Sequence, residues 1–168
     1  MGLLDNLLNR NPTRDWREQR GLQLVLDLDQ ESFCGIRLGD PAVRLEKFGP
    51  CEDAASARSG MYNYPGRGFQ LNVERECFVE VEAAFGEGEG ARAFAGGLVR
   101  HGRTAVFTAS STEADLVALL GEPASRKEEP ADEDCPAHVT LLWNLERTDF
   151  SADFEDARLS QLWLGTKT

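Results

Sequence analysis

Short stretches in which apolar and polar residues alternate recur along the chain, and they constrain its fold more than any other feature. The clearest are FQLNV at 69–73, FVEVEAAF at 78–85 and VTLLWNL at 139–145. Because successive side chains of a strand point to opposite faces, each stretch predicts a strand with one buried and one polar face. Turn signals such as PGRG at 65–68 separate neighbouring stretches. The pattern therefore predicts an antiparallel sheet that is covered on one side.

Short helices are predicted where capping residues and a closing glycine bracket an apolar segment. Asp40 and Pro41 open such a segment, which Gly49 closes, and Thr112 opens a second one that Gly121 closes. Asn11-Pro12 and Gly21 have the same pattern, and four leucines near the start share one helical face. Residues 1–20 are therefore predicted to be an N-terminal helical segment.

The predicted elements occur twice in the same order. An offset of 72 aligns Asp40 with Thr112, and after a loop of variable length an offset of 81 aligns Phe69 with Phe150. A repeated order of elements is the signature of an internal duplication. We predict a single globular domain over 1–168, with repeats at about 22–85 and 98–165. The predicted fold class is α+β: two tandem repeats, each a helix plus an antiparallel meander, that form a shared sheet with helices on one face.

Two helix endings support a family resemblance. LVALLGEP at 116–123 and the weaker VRLEKFGP at 43–50 each end a short helix before a loop and a meander of strands. This unit resembles the SmpA/OmlA-type lipoprotein module, and two units in tandem resemble the β-lactamase-inhibitor protein (BLIP-like). The resemblance implies one concave sheet and a non-enzymatic protein-binding or inhibitory function. It carries over no functional residues.

Charge narrows the class of partner. The chain has 29 acidic and 18 basic side chains, a formal net charge of −11. Such a chain lacks the Lys and Arg clusters that contact phosphates, so no nucleic-acid partner is predicted. An acidic surface favours a basic protein partner. The candidate binding surface combines aromatic anchors with loop acids: Tyr62, Tyr64, Phe69, Trp143, Trp163, Glu128, Glu129, Asp132, Glu133 and Asp134.

Motifs for catalysis, cofactors and metals are weak. Gly86-x-Gly88-x-x-Ala91 matches a dinucleotide fingerprint, but acidic neighbours and the short Gly-rich stretch that follows do not suit a phosphate site. Cys135 and His138 have only half of a zinc-site spacing. His101 has no identifiable nucleophile beside it. We predict no cofactor, no metal and no catalytic residue. The alternatives are a small hydrolase or transferase with a cryptic site, or a small-molecule-binding protein.

The sequence also predicts a cellular location. No apolar run is long enough to span a bilayer, and the first residues lack the basic segment of a secretory signal. The four cysteines are scattered, as is usual for reduced thiols. We therefore expect a cytoplasmic protein. No pattern in the sequence indicates an oligomeric state.

Overall fold

Strands dominate the protein. A computed structural model describes residues 11–86, 90–131 and 135–167, of which 42% lie in strands and 15% in helices. The predicted α+β class, with helices on one face of a single shared sheet in two repeats, is therefore wrong. The strands form two separate sheets, and the helical segments are too short to make a layer. The predicted repeat boundaries stay a prediction.

The larger sheet has seven strands, all of them antiparallel to their neighbours. Its order is β4-β5-β6-β12-β11-β10-β9. The strands are β4 (Met61–Tyr64), β5 (Phe69–Glu74), β6 (Cys77–Ala84), β9 (Ser125–Glu129), β10 (His138–Asn144), β11 (Thr148–Glu155) and β12 (Arg158–Thr166). The edge strand β9 lies in a segment that the sequence predicts to be a loop.

The smaller sheet has five strands in the order β3-β2-β1-β7-β8. They are β1 (Val25–Asp27), β2 (Ser32–Phe33), β3 (Ile36–Arg37), β7 (Gly97–Arg100) and β8 (Arg103–Val106). Strands β1 and β7 pair in parallel. Asp29 holds the β7–β8 turn, because its carboxylate accepts the backbone N–H groups of His101 and Gly102 at 2.9 and 2.8 Å.

The helices are short connections. Ala42–Phe48 and Pro65–Arg67 are 3-10 helices, and α1 (Ala54–Arg58) and α2 (Glu113–Leu120) are α-helical. Thr112 and Asp115 form a capping box at the start of α2. Residues 12–20, predicted to be helical, form no helix: 12–15 are turns and 16–19 are irregular. Within the described ranges, no helix has the length and apolarity needed to cross a membrane.

Strands β6 and β12 join the two meanders of the larger sheet. Five residue pairs connect them, from Gln161 opposite Ala84 to Gly165 opposite Glu80. On one side of the sheet, a row of buried residues runs across this joint: Tyr62, Leu71, Val81, Leu164, Phe150 and Trp143. The smaller sheet packs on this side, where the ring of Phe33 lies 5.1 Å from that of Phe69. The core therefore lies between the two sheets.

Two buried aromatic side chains tie the larger sheet to the helix ends. The Tyr64 hydroxyl donates to the Gly49 carbonyl at 2.9 Å, and Trp143 Nε1 donates to the Gly121 carbonyl at 3.0 Å. Each glycine follows the last residue of its helix with φ near +80° (78° and 80°), a conformation that glycine adopts without a Cβ clash. These bonds satisfy carbonyls at helix ends that lack an intrahelical partner.

We expect Tyr64→Phe to lower the free energy of unfolding by about 1–2 kcal/mol, because it leaves a buried carbonyl without its donor. Tyr62→Phe is the matched control: Tyr62 lies on the same strand and is also buried, but its hydroxyl makes no hydrogen bond to any described residue. It should cost less than about 0.5 kcal/mol. Urea unfolding of both variants measures the difference, and equal costs would contradict the role of the Tyr64 bond.

Candidate functional site

Four of the five aromatic residues predicted as interface anchors belong to the core. Tyr62, Tyr64, Phe69 and Trp143 are between 2 and 9% exposed and lie on the covered side of the larger sheet. Side chains as buried as these pack in the core and offer little surface to a partner, so the structure gives no support for these four as interface anchors. Alternation along a strand identifies two faces, but it does not show which face meets solvent. Trp163, the fifth, lies on the other side.

The predicted acidic residues lie near one edge of the larger sheet. Glu128 and Glu129 are exposed on β9, where each pairs with a basic residue of the same strand: Glu128 with Arg126 and Glu129 with Lys127, both at 2.6 Å. These pairs offset part of the acidic charge of the edge. Asp132, Glu133 and Asp134 lie outside the described residues.

The residues of the weak motifs occupy structural positions. His101 is exposed in the β7–β8 turn, and His138 lies on β10 with Nε2 3.5 Å from Asp153. In the described part of the chain, neither histidine hydrogen-bonds to a Ser, Thr or Cys side chain. The middle of the Gly86–Ala91 motif lies outside the described residues. Over the same described ranges, no three His, Cys, Asp or Glu side chains are grouped as metal ligands.

The second face of the larger sheet, which we name the open face, is polar. One row of side chains crosses all seven strands in register: Asn63, Gln70, Glu82, Trp163, Ser151, Leu142 and Ser125. Adjacent rows add Asn72, Glu80, Asp149, Asp153, Thr140 and Gln161. Most of these side chains are partly exposed. No described element packs over this face.

Trp163 lies near the centre of the open face. A Cβ placed on Gly165 would collide with the indole, so the ring lies flat along its own strand, over the glycine. This explains why Gly165 is buried although it faces the polar side. One ring face contacts the strand, the side chain is partly exposed, and its N–H makes no hydrogen bond to a described residue. The indole is a fixed apolar surface among polar groups.

Glu82 is directly opposite Trp163 on the neighbouring strand. Partial burial raises the pKa of the Glu82 carboxyl, and the charges of Glu80 and Asp153 raise it further. Glu80 accepts a hydrogen bond from the Asn72 amide, and Asp153 accepts one from Thr140 at 2.7 Å. Glu82 itself has no hydrogen bond or ion pair with any described residue. It is therefore a partly buried carboxylate without a counterion in this part of the chain.

A cavity of about 530 Å³ lies beside Glu82. Its apolar lining includes Tyr64, Phe69 and Ala84, and its polar lining includes Asn63, Gln70 and Arg92. A larger cavity of about 980 Å³, lined in part by Thr108 and Arg158, contains no residue of the open-face row. The smaller cavity is the better candidate site, because apolar walls with a few polar groups and a perturbed acid are typical of binding sites.

Comparisons with known proteins do not assign a family. A scan against protein-family models finds no match, and searches of curated proteins and of solved structures find no significant match either. The resemblance to a BLIP-like module therefore stays a prediction. The site must be interpreted from its own geometry.

We expect Glu82→Gln to stabilise the protein at pH 7. A raised folded-state pKa means that the charged carboxylate destabilises the fold, and this cost appears as the pH rises from the unfolded-state pKa through the folded-state pKa. Because Glu82 is partly exposed, the gain should be about 0.5 kcal/mol at pH 7 and should vanish near pH 4.

Thermal or urea unfolding at both pH values measures this change. Glu46→Gln, at an exposed position on the first 3-10 helix, removes the same charge away from the open face and controls for the net charge of the chain. If Glu82→Gln stabilises the protein no more than Glu46→Gln does, the local origin of the effect is contradicted.

Proposed function

We propose that this chain is a non-enzymatic protein-binding module, an adaptor or an inhibitor, whose open face receives a basic surface of a protein partner. The observation that carries the proposal is a seven-stranded sheet with one side uncovered by any described element, acidic around a single fixed indole. A tryptophan at the centre of such a face is of the residue type that most often anchors a protein interface.

Charge supports a basic partner. The open face has four carboxylates near its centre: Glu80, Glu82, Asp149 and Asp153. Among the described residues, the basic groups at this face lie away from its centre: Lys127 pairs with Glu129, His138 lies beside Asp153, Arg158 is opposite Glu155, and Arg92 is in the cavity lining. The field of a chain with a net charge of −11 adds long-range attraction to a cation-rich surface. Complementary charge of this kind increases the association rate and selects the partner.

The size of the face also suits a protein partner. Seven strands spaced about 4.8 Å apart span about 30 Å, and strands of this length extend about 20 Å. The resulting area, on the order of 600 Å², approaches the roughly 800 Å² that each partner contributes to a standard interface. Trp163 supplies an aromatic anchor of the type that dominates binding energy.

The cavity beside Glu82 favours a second candidate function, the binding of a small molecule. Its volume of about 530 Å³ and its partly aromatic lining are in the range of ligand pockets. A hydrolase or transferase receives no comparable support from the described residues. The two binding functions differ in their response to a loss of acidic charge on the open face. A protein partner covers the whole face and should lose affinity wherever an acid is removed, whereas a small molecule should respond only to changes beside the cavity.

We expect the double substitution Glu80→Lys/Glu82→Lys to abolish capture of the partner from an extract of the source cells. The matched control, Glu46→Lys/Glu122→Lys, makes the same charge change at exposed positions on or next to the helical segments. It should retain the partner. With the purified partner, the open-face variant should raise the Kd more than tenfold, and added salt should slow association of the wild type.

If both variants lose the partner equally, the net charge of the chain, and not the open face, determines binding, and the proposal is contradicted. An association rate indifferent to salt and to the open-face substitutions would contradict the proposal.

A further inference from the structure

We propose that the open face contains a guanidinium site, in which an arginine of the partner stacks on the Trp163 indole and pairs with the Glu82 carboxylate. This inference rests on the proposed function, because it names the group by which a basic partner is held. It follows from how three features of the face lie together: the indole, the carboxylate opposite it and the cavity beyond.

The indole is positioned to receive a flat cation. It is held against Gly165, so its orientation is fixed by its own strand before any ligand arrives. A guanidinium or ammonium over the face of a tryptophan is attracted by the ring quadrupole, and tryptophan is the strongest of the aromatic side chains in this respect. The polar residues around Trp163 leave it without an aromatic neighbour within the described chain.

Glu82 supplies the counterion. Residues directly opposite on antiparallel strands have Cβ atoms about 5 Å apart, so a group stacked on Trp163 comes within reach of the Glu82 carboxylate. Glu82 has no partner in the described residues, whereas Glu80 and Asp153 each accept a side-chain hydrogen bond. A cation at this position would also offset the mutual repulsion of these three acids.

A second unpaired oxygen lies on the far side of the indole. Asp149 is opposite Gly165 on β11, and its Oδ1 is buried without a hydrogen-bond partner. The ring over Gly165 therefore has Asp149 on one flanking strand, and Glu80 and Glu82 on the other, where they lie opposite Gly165 and Trp163. A positive charge over the ring is attracted by all three carboxylates, of which Glu82 and Asp149 Oδ1 have no hydrogen-bond partner in the described residues.

Arginine fits this arrangement better than lysine. The planar guanidinium can lie parallel to the indole while its N–H groups point sideways to the Glu82 carboxylate in a bidentate pair. An ammonium on a flexible stem lacks the flat surface for stacking and the fork for two parallel bonds. The adjacent cavity, where Ala84 is exposed on the same side of the sheet as Glu82, can receive the neighbouring chain of the partner.

The test uses the full chain labelled with ¹⁵N and the signals of its three indole N–H groups, Trp16, Trp143 and Trp163, with Trp163→Phe to assign the last. The probe is the capped tripeptide acetyl-Gly-Arg-Gly-amide, titrated at low salt. The comparison peptides contain lysine or the neutral isostere citrulline in place of arginine.

We expect a saturable shift of the Trp163 signal with the arginine peptide, with a Kd on the order of 1 mM, as for one small charged contact. The Trp143 signal should not move, because its N–H is bonded to the Gly121 carbonyl. Glu82→Gln should raise this Kd about fivefold or more, and Glu46→Gln should leave it unchanged. The lysine peptide should bind at least threefold more weakly, and the citrulline peptide should give no saturable shift.

The proposal is overturned if the arginine peptide does not move the Trp163 signal, if citrulline moves it equally, or if Glu82→Gln binds like the wild type. Equal binding of arginine and lysine would overturn the guanidinium assignment. These failures can be told apart from failure of the proposed function. If charge reversal abolishes partner capture but the peptide does not bind, the protein-binding function is supported and the arginine site is wrong. If the arginine peptide binds but no protein partner is captured, the arginine site is supported and the protein-binding function is contradicted.

Discussion

The pairing of β6 with β12 is the interaction on which the rest of the structure depends. It joins the β4–β6 meander to the β9–β12 meander and makes one sheet of seven strands. On the covered side it aligns Val81 with Leu164, within the core. On the open side the same register places Glu82 opposite Trp163. One set of backbone hydrogen bonds therefore builds both the hydrophobic core and the candidate site.

The two hairpins beside this joint share details of geometry. A register shift follows Asn72 in the β5–β6 pair and Asp153 in the β11–β12 pair, each before a tight turn. Because each register shift leaves an extra residue in one strand, the strands twist more strongly there. Across the joint itself the β6–β12 register is regular, and it places acids on both sides of the indole. These charges cost stability in the isolated chain, as functional sites often do.

The sequence is informative where the physical signal is local. Alternation placed the strands of both hairpins, and capping residues placed α2 at 113–120, where the structure has it. Prediction from the sequence failed where tertiary contacts determine the local structure. Residues 12–20 have a helix-like cap but form turns and irregular chain, and the Trp16 ring packs edge-on against Tyr62 at 5.2 Å. Strand β9 has no apolar alternation, because it is an exposed edge strand.

The candidate site was only partly visible in the sequence. Glu80 and Glu82 clearly share one strand face, and Trp163 is an obvious aromatic residue, but nothing local indicates that they meet. Their proximity follows from a pairing between residues 81 positions apart, as at Glu82 and Trp163. The smaller sheet, which decides the side that is covered, is also assembled from distant segments, because β1 pairs with β7. The long-range register of the strands, and not the amino-acid composition, determines that four of the predicted aromatic anchors lie in the core and that Trp163 lies on the surface.

The central claim is that the partner covers the open face, and hydroxyl-radical footprinting of the complex with the captured partner tests it most directly. Trp163 is partly exposed on the open face, and Trp16, also partly exposed, packs with Tyr62 and serves as the internal control. We expect oxidation of Trp163 to fall severalfold in the complex while oxidation of Trp16 is unchanged. If Trp163 is oxidised equally in the free and bound chains, the partner binds elsewhere and the claim is wrong.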